Sequence, residues 1–350
     1  MSHNDYDQEP TTKTVSALWI TWEHQRRNRG MAKLVDAEYY EFETHHRGLR
    51  RYAVLSWQTI ALLIRRRPAL LFCQNPSLIL AMLCVVYGIS TRAQTIVDEH
   101  NAGLFPLESR WRLLNAVARF VVRFSSAVII SNHELSEHVH KLGGHPIICP
   151  DPIPQLANDP LSMESLQRLT PGRTNLVVVC SWAADEPYET LFEVANELRH
   201  GIDMLFTGVP PVWVSEESLP ANVKLLGFVP DQDYDALIRQ ADGLIVLSNR
   251  ASCLNCGAYE AVAARTPAVL ADTTALRTYF PYGFEYTSAT KADLSDKIHR
   301  LIDNQAVLGQ ALASTQTSLQ RHHVQAIEAL RKRFGWPRET SHPAAHQGDP

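Results

Sequence analysis

Glu260 is the residue whose setting most invites chemistry. It stands in Ala241–Asp272, ADGLIVLSNRASCLNCGAYEAVAARTPAVLAD. That stretch reads as a strand (Gly243–Leu247), a polar loop (Ser248–Cys256), a helix (Gly257–Ala264) and a second strand (Ala268–Ala271). Gly257 permits close backbone approach, and Pro267 prevents the helix from continuing. Such a unit belongs to a parallel sheet, with its loop at the carboxyl end of the first strand, where open α/β sheets bind ligands. The N–H groups at the helix start suit a phosphate. A carboxylate one turn in could accept hydrogen bonds from ribose hydroxyls. An ordinary crossover helix with a surface glutamate fits the same residues.

Other chemistry-bearing groups stand at the ends of apparent strands. Cys180-Ser181-Trp182-Ala183-Ala184-Asp185-Glu186-Pro187 follows one, Asp98-Glu99-His100-Asn101 another, and Trp22-Glu23-His24-Gln25-Arg26-Arg27 a third. Taken alone, acids in such places serve as turn or first-turn helix residues. Cys253 and Cys256 form a C-x-x-C, but a structural zinc site needs a second pair at useful spacing, and the remaining four cysteines do not supply one. No metal site is expected.

The elements that position these groups alternate. With 350 residues, 45% of them hydrophobic, and a net charge of −4, the chain has room for two ordinary domains. Strands are expected at Ala17–Thr21, Glu38–Phe42, Leu70–Cys73, Gln94–Val97, Ala127–Ile130 and Ile147–Cys149, with helices between them. After a Pro-rich linker, a second series begins at Leu176–Cys180. It continues through Tyr188–Arg199, Met204–Thr207, Val223–Gly227 and Asp231–Gln240, and ends in a helical region from Lys291 to about Phe334. This is the doubly wound α/β pattern, twice over. The boundaries expected are a disordered tail (1–14), a first domain (15–150), a linker (151–170) and a second domain (171–315). A last helix (316–336) would return to the first domain, ahead of a disordered tail (337–350). The longest apolar run, Leu78–Tyr87, is far short of a membrane span. The polar, acidic start is neither a signal nor a transit peptide, so a cytoplasmic place is expected.

GAYEAVAARTPAVLAD resembles the donor-site segment of GT-B glycosyltransferases, with Glu260 on the second glutamate of their Glu-x7-Glu signature and Ser252 in place of the first. Cys180–Pro187 is similar to the Ser-Trp-Thr-Pro-Asp-Glu segment of the branch that mannosylates lipid-linked chitobiose. Asp98–Asn101 resembles the Asp-x-His-Asn of their N-terminal domain. The resemblance implies two Rossmann-like doubly wound domains facing across a cleft, with a sugar moved from a nucleotide-diphosphate donor to a lipid-linked or polysaccharide acceptor. It implies no cofactor or metal, because dipoles and basic groups stabilise the leaving diphosphate. It places donor contacts on Ser181, Trp182, Gly208, Asn249, Arg250, Cys256, Gly257, Ala258, Tyr259 and Glu260. Asp98 would be the base of an inverting reaction, with His100 beside it, and His24, Arg26 and Asn101 would meet the acceptor. Retention stays open, since Glu260 sits in a signature common among retaining enzymes.

Charge is unevenly spread. Residues 44–97 contain no Asp or Glu but seven arginines, and 110–124 is a second basic amphipathic stretch. Packing on a sheet with solvated arginines explains this composition. So does contact with an anionic membrane surface on the cytoplasmic side. Nucleic acid is not an expected partner, because aromatic platforms and basic loops do not interleave. G-x-G-x-x-G is absent after every predicted strand, which argues against a dinucleotide-dependent dehydrogenase. A non-catalytic nucleotide-sugar-binding protein and a nucleotide-sugar epimerase share the expected architecture.

Overall fold

Short apolar runs buried on both faces are the mark of parallel strands, and in this chain they build two sheets. The computed structural model describes residues 17–75, 77–99, 101–157 and 168–335. The first unit runs β1 (Ala17–Thr21), α1 (Arg26–Leu34), β2 (Glu38–Glu41), α2 (Gly48–Arg66), β3 (Leu70–Asn75), α3 (Leu78–Thr91), β4 (Gln94–Glu99), α4 (Asn101–Leu104), α5 (Arg112–Phe124), β5 (Ala127–Ile130), α6 (Glu134–Lys141) and β6 (Pro146–Ile148). Its six strands pair in parallel in the order β2-β1-β3-β4-β5-β6. One face is covered by α2, α3 and α5, through Leu55, Leu62, Leu80, Val85 and Val121. The other is covered by α1, through Met31, Ala32 and Val35, and by the far end of the chain.

The second unit runs β7 (Thr174–Val178), α7 (Tyr188–Glu197), β8 (Ile202–Thr207), β9 (Val223–Gly227), α8 (Asp231–Gln240), β10 (Gly243–Val246), α9 (Cys256–Ala264), β11 (Ala268–Ala271), α10 (Thr274–Tyr279), β12 (Phe284–Thr287), α11 (Lys291–Asp303) and α12 (Gln305–Phe334). Its strands are parallel too, in the order β12-β11-β10-β7-β8-β9.

Several elements depart from the sequence-based expectation. α1 begins at Arg26, although the polar run through Arg29 carries no apolar period and reads as loop, with a helix expected only over Met31–Leu34. α10 and β12 had no counterpart; they are six and four residues long, too short for periodicity to speak. The last helical region is two helices divided at Asn304, and the second spans 30 residues, about 45 Å. That helix belongs to both units. Leu312 and Leu319 enter the core of the second, whereas Ala326, Ile327 and Leu330 enter the core of the first.

Gly208, which ends β8, has φ +80°, and a Cβ there would stand 2.3 Å from the Cys180 carbonyl oxygen. The chain ends of β7 and β8 meet only because this residue has no side chain. Gly208→Ala is therefore expected to destabilise the second unit by about 2–4 kcal/mol, combining left-handed strain with overpacking. Urea unfolding followed by circular dichroism measures it.

Candidate active site

In each sheet the chain winds one way and then crosses to the other side, leaving a switch point: between β1 and β3 in the first, between β7 and β10 in the second. Ligand crevices of open α/β sheets form at the carboxyl ends of such strand pairs. Here the two carboxyl edges face each other. Asn132, just past β5, donates from Nδ2 to the Ser252 carbonyl in the loop after β10 (2.8 Å). A second connection passes through the hinge at residues 149–151.

That hinge is built around Arg27, on the first turn of α1 and buried. Its Nε and Nη2 donate to the two oxygens of Asp98 at 2.9 and 2.6 Å. Its Nη1 donates to Asp151 in the connecting segment. Burial disfavours the guanidinium charge, but the attraction of Asp151 and Asp98 outweighs it and pushes the pKa well above the ordinary arginine value. The Asp151 N–H then donates to the phenolic oxygen of Tyr259 on α9 (3.1 Å). His323 of α12 meets the carbonyls of Pro150 and Asp151 at 3.2 and 2.9 Å, so Nε2 carries the proton.

This arrangement changes the role expected of Asp98. Its side chain is fully buried and both oxygens are held by one guanidinium. The carboxylate is thus engaged at the hinge with Arg27. His100 lies outside the described residues, as do the side chains of Arg26 and Asn101. His24 is exposed, and its Nδ1 faces Glu41 at 2.7 Å. Arg27, one residue beyond the predicted Arg26, carries the contact that sequence reasoning missed. It also missed the buried polar group at the first switch point, where Gln74 Oε1 accepts from Asn28 Nδ2 (2.7 Å) and Thr21 Oγ1 (3.1 Å).

At the second switch point the loop 180–187 and the loop 248–255 are tied by Asp185. Its side chain accepts from Ser248 Oγ (2.5 Å), its backbone carbonyl from Asn249 N (2.7 Å), and Arg250 pairs with it at 3.4 Å. Arg250 is half exposed. The N–H groups of Ser181, a predicted donor contact, and Ala183 donate to the Glu186 carboxylate at 3.0 Å each. Ser181 Oγ adds a third bond at 2.8 Å. The loop is therefore an anion cradle filled by its own side chain.

Trp182 is not a free ring. It adopts φ +61°, donates from Nε1 to the Thr207 carbonyl (3.1 Å), and packs on Tyr188 and Phe206. On α9, Gly257 lets the helix start press against β10, since a Cβ would stand 2.9 Å from Val246. Ala258 and Tyr259 were expected to touch the donor, but both are buried. Tyr259 faces the hinge, where burial and then Asp151 push its phenol well above its usual pKa. Glu260 and Cys256 lie toward the outside. Glu260 Oε2 accepts from Tyr234 Oη of α8 at 2.5 Å. Cys253 and Cys256 are free thiols, and burial pushes the Cys253 thiol up to about 11. A cavity of about 410 Å³ lined by Arg123, His145 and Arg333 opens at the opposite, amino-terminal edge of the first sheet.

Residues 186–329 match the family described as glycosyl transferase-like. That segment contains the loop 248–255, α9 and Glu260. No curated protein matches the sequence. Among solved structures, sucrose-phosphate synthase from Thermosynechococcus elongatus superposes with TM-score 0.68 at 12% identity, covering 91% of this chain and 99% of that one. Anabaena HepE in complex with UDP-glucose superposes with TM-score 0.67 at 13% identity, over 91% and 99% of the two chains. A putative UDP-N-acetylglucosamine 2-epimerase from Listeria monocytogenes gives 0.56 at 13% identity, over 94% and 90%. The fold is GT-B, and the family match lies within the second unit and α12.

Replacing Arg27 leaves two buried carboxylates facing each other. Arg27→Met is expected to destabilise the protein by about 3–5 kcal/mol. Adding Asp98→Asn and Asp151→Asn should restore much of that loss. Denaturant unfolding of the single and triple variants tests this, and an unchanged midpoint for Arg27→Met would contradict it.

Proposed function

We propose that this protein is a glycosyltransferase that moves a sugar from a nucleotide-diphosphate donor onto a lipid-linked or glycan acceptor, with a UDP-sugar as the first donor to test. The observation that carries the reading is where the glycosyl transferase-like segment falls. It sets the loop 248–255, the start of α9 and Glu260 at the switch point of a GT-B second domain. Structures with UDP or UDP-glucose bound share this fold, which supports the choice of nucleotide.

In this reading the N–H groups at the start of α9 and the Arg250 guanidinium receive the diphosphate. Glu260 exchanges its Tyr234 bond for the ribose hydroxyls. Asp98 acts at the hinge as a positioning residue, so the proton of the acceptor hydroxyl passes to another group. The similarity to the Listeria protein favours a second reading, a nucleotide-sugar epimerase. Incubation with labelled UDP-sugars separates the two by product: sugar transferred to an acceptor, or an isomerised sugar nucleotide.

Hydrogen bonds to a charged group contribute about 1.5–3 kcal/mol. Glu260→Gln is therefore expected to weaken UDP-sugar binding roughly 10- to 150-fold in calorimetric titration, with the unfolding midpoint nearly unchanged. Equal affinity in parent and variant would remove Glu260 from the donor site.

A further inference from the structure

We propose that the outer face of the α2–α3–α5 layer docks on an anionic lipid bilayer. The argument begins with α2, which is apolar on two sides. Leu55, Thr59, Leu62 and Leu63 face the sheet and are buried. Ala53, Trp57, Ile60 and Ile64 recur at helical spacing on the opposite side and are exposed, Trp57 at 73% and Ile64 at 63%. A helix that only covers a sheet needs one apolar stripe. The second stripe of α2 has no partner among the described residues.

The neighbouring helices extend that surface. α2 packs on α3 and α3 on α5. α3 exposes Val86 and Ile89, and α5 exposes Leu113 at 73% and Phe124, with Trp111 just before it. Arginines stand at both ends of this apolar surface. Arg47 and Arg50 are at the start of α2, with Arg112 at the start of α5. Arg65 and Arg67 are at the end of α2, with Arg92 and Arg123 at the ends of α3 and α5. Residues 44–97 and 110–124 contribute no carboxylate. Glu38 reaches this face from β2, where it pairs with Arg66.

Charge complementarity selects the occupant. A second copy meeting this patch about a two-fold axis would set arginines against arginines. Lipid phosphates and carboxylates satisfy arginines at both ends at once, while Trp57, Trp111 and the aliphatic stripe enter the headgroup boundary. α2 would then lie flat in the interface. The proposal fits a lipid-linked acceptor but does not rest on the glycosyltransferase reading, because docking needs no donor.

The test is co-sedimentation of the full chain with phosphatidylcholine vesicles, with and without phosphatidylserine, at low and high salt. The parent is expected to bind only the anionic vesicles and to be released by salt. Arg65→Gln with Arg67→Gln should weaken that binding roughly 30-fold. Trp57→Ser with Ile64→Ser should weaken it at least comparably. All four residues are exposed, so circular dichroism and the thermal shift by UDP-sugar should be unchanged. Failure of the parent to bind anionic vesicles would overturn the proposal. So would variants that bind as the parent does. A dimer in sedimentation velocity that Trp57→Ser with Ile64→Ser dissociates, without vesicle binding, would show a second copy on this face and overturn it too.

Discussion

A guanidinium buried away from water must be neutralised where it stands, and at Arg27 that requirement organises both domains. The cost of removing such a charge from water is several kcal/mol, recovered only with close, well-directed partners. Asp98 supplies a bidentate partner from the end of β4, and Asp151 supplies another from the connecting segment. Asp151 is thereby held in place, and its N–H reaches Tyr259 on α9. The path of the linker and the seat of α9 thus depend on one side chain of the first domain. α12 closes the same region from behind, with His323 on the linker carbonyls and its two ends in two different cores.

The second constraint is the supply of N–H groups at the sheet edge that faces this hinge. Ser181 and Ala183 direct theirs at one carboxylate, Glu186. An anion is what such a cradle favours, and the chain provides it internally. The next helix start on this edge is that of α9, which follows the loop carrying the half-exposed Arg250, with Glu260 one turn further along. A diphosphate on those N–H groups would bring its ribose to a carboxylate that already accepts a hydroxyl hydrogen from Tyr234. Glu260 is thus prepared for hydroxyl donors.

Much of the architecture was legible because parallel strands buried on both faces read as plain apolar runs. The strands at Ala17–Thr21, Ala127–Ile130, Val223–Gly227 and Ala268–Ala271 have the boundaries read from the sequence. The site was legible by location more than by side chain. α9 is rich in small and apolar residues on every side, so its sequence carries no phase, and nothing in GAYEA told that Tyr259 turns inward to the hinge while Glu260 does not. Arg26 and Arg27 are neighbours in a polar turn, and nothing in that turn's composition told that Arg27 would be buried. Asp151 sits in a Pro-rich stretch whose composition says linker, and its partner is 124 positions away. The outward stripe of α2 was visible as composition, but its exposure could be known only once the sheet-facing side was identified.

Hydrogen exchange of the amide groups with and without a saturating UDP-sugar tests the central claim, that the donor lies between the loop 248–255 and the start of α9. Protection is expected to concentrate in peptides covering 248–262, with a smaller effect at the hinge segment 149–157, which Tyr259 links to that helix. Protection confined to the first domain, or none at 248–262 despite demonstrated binding, would contradict the account.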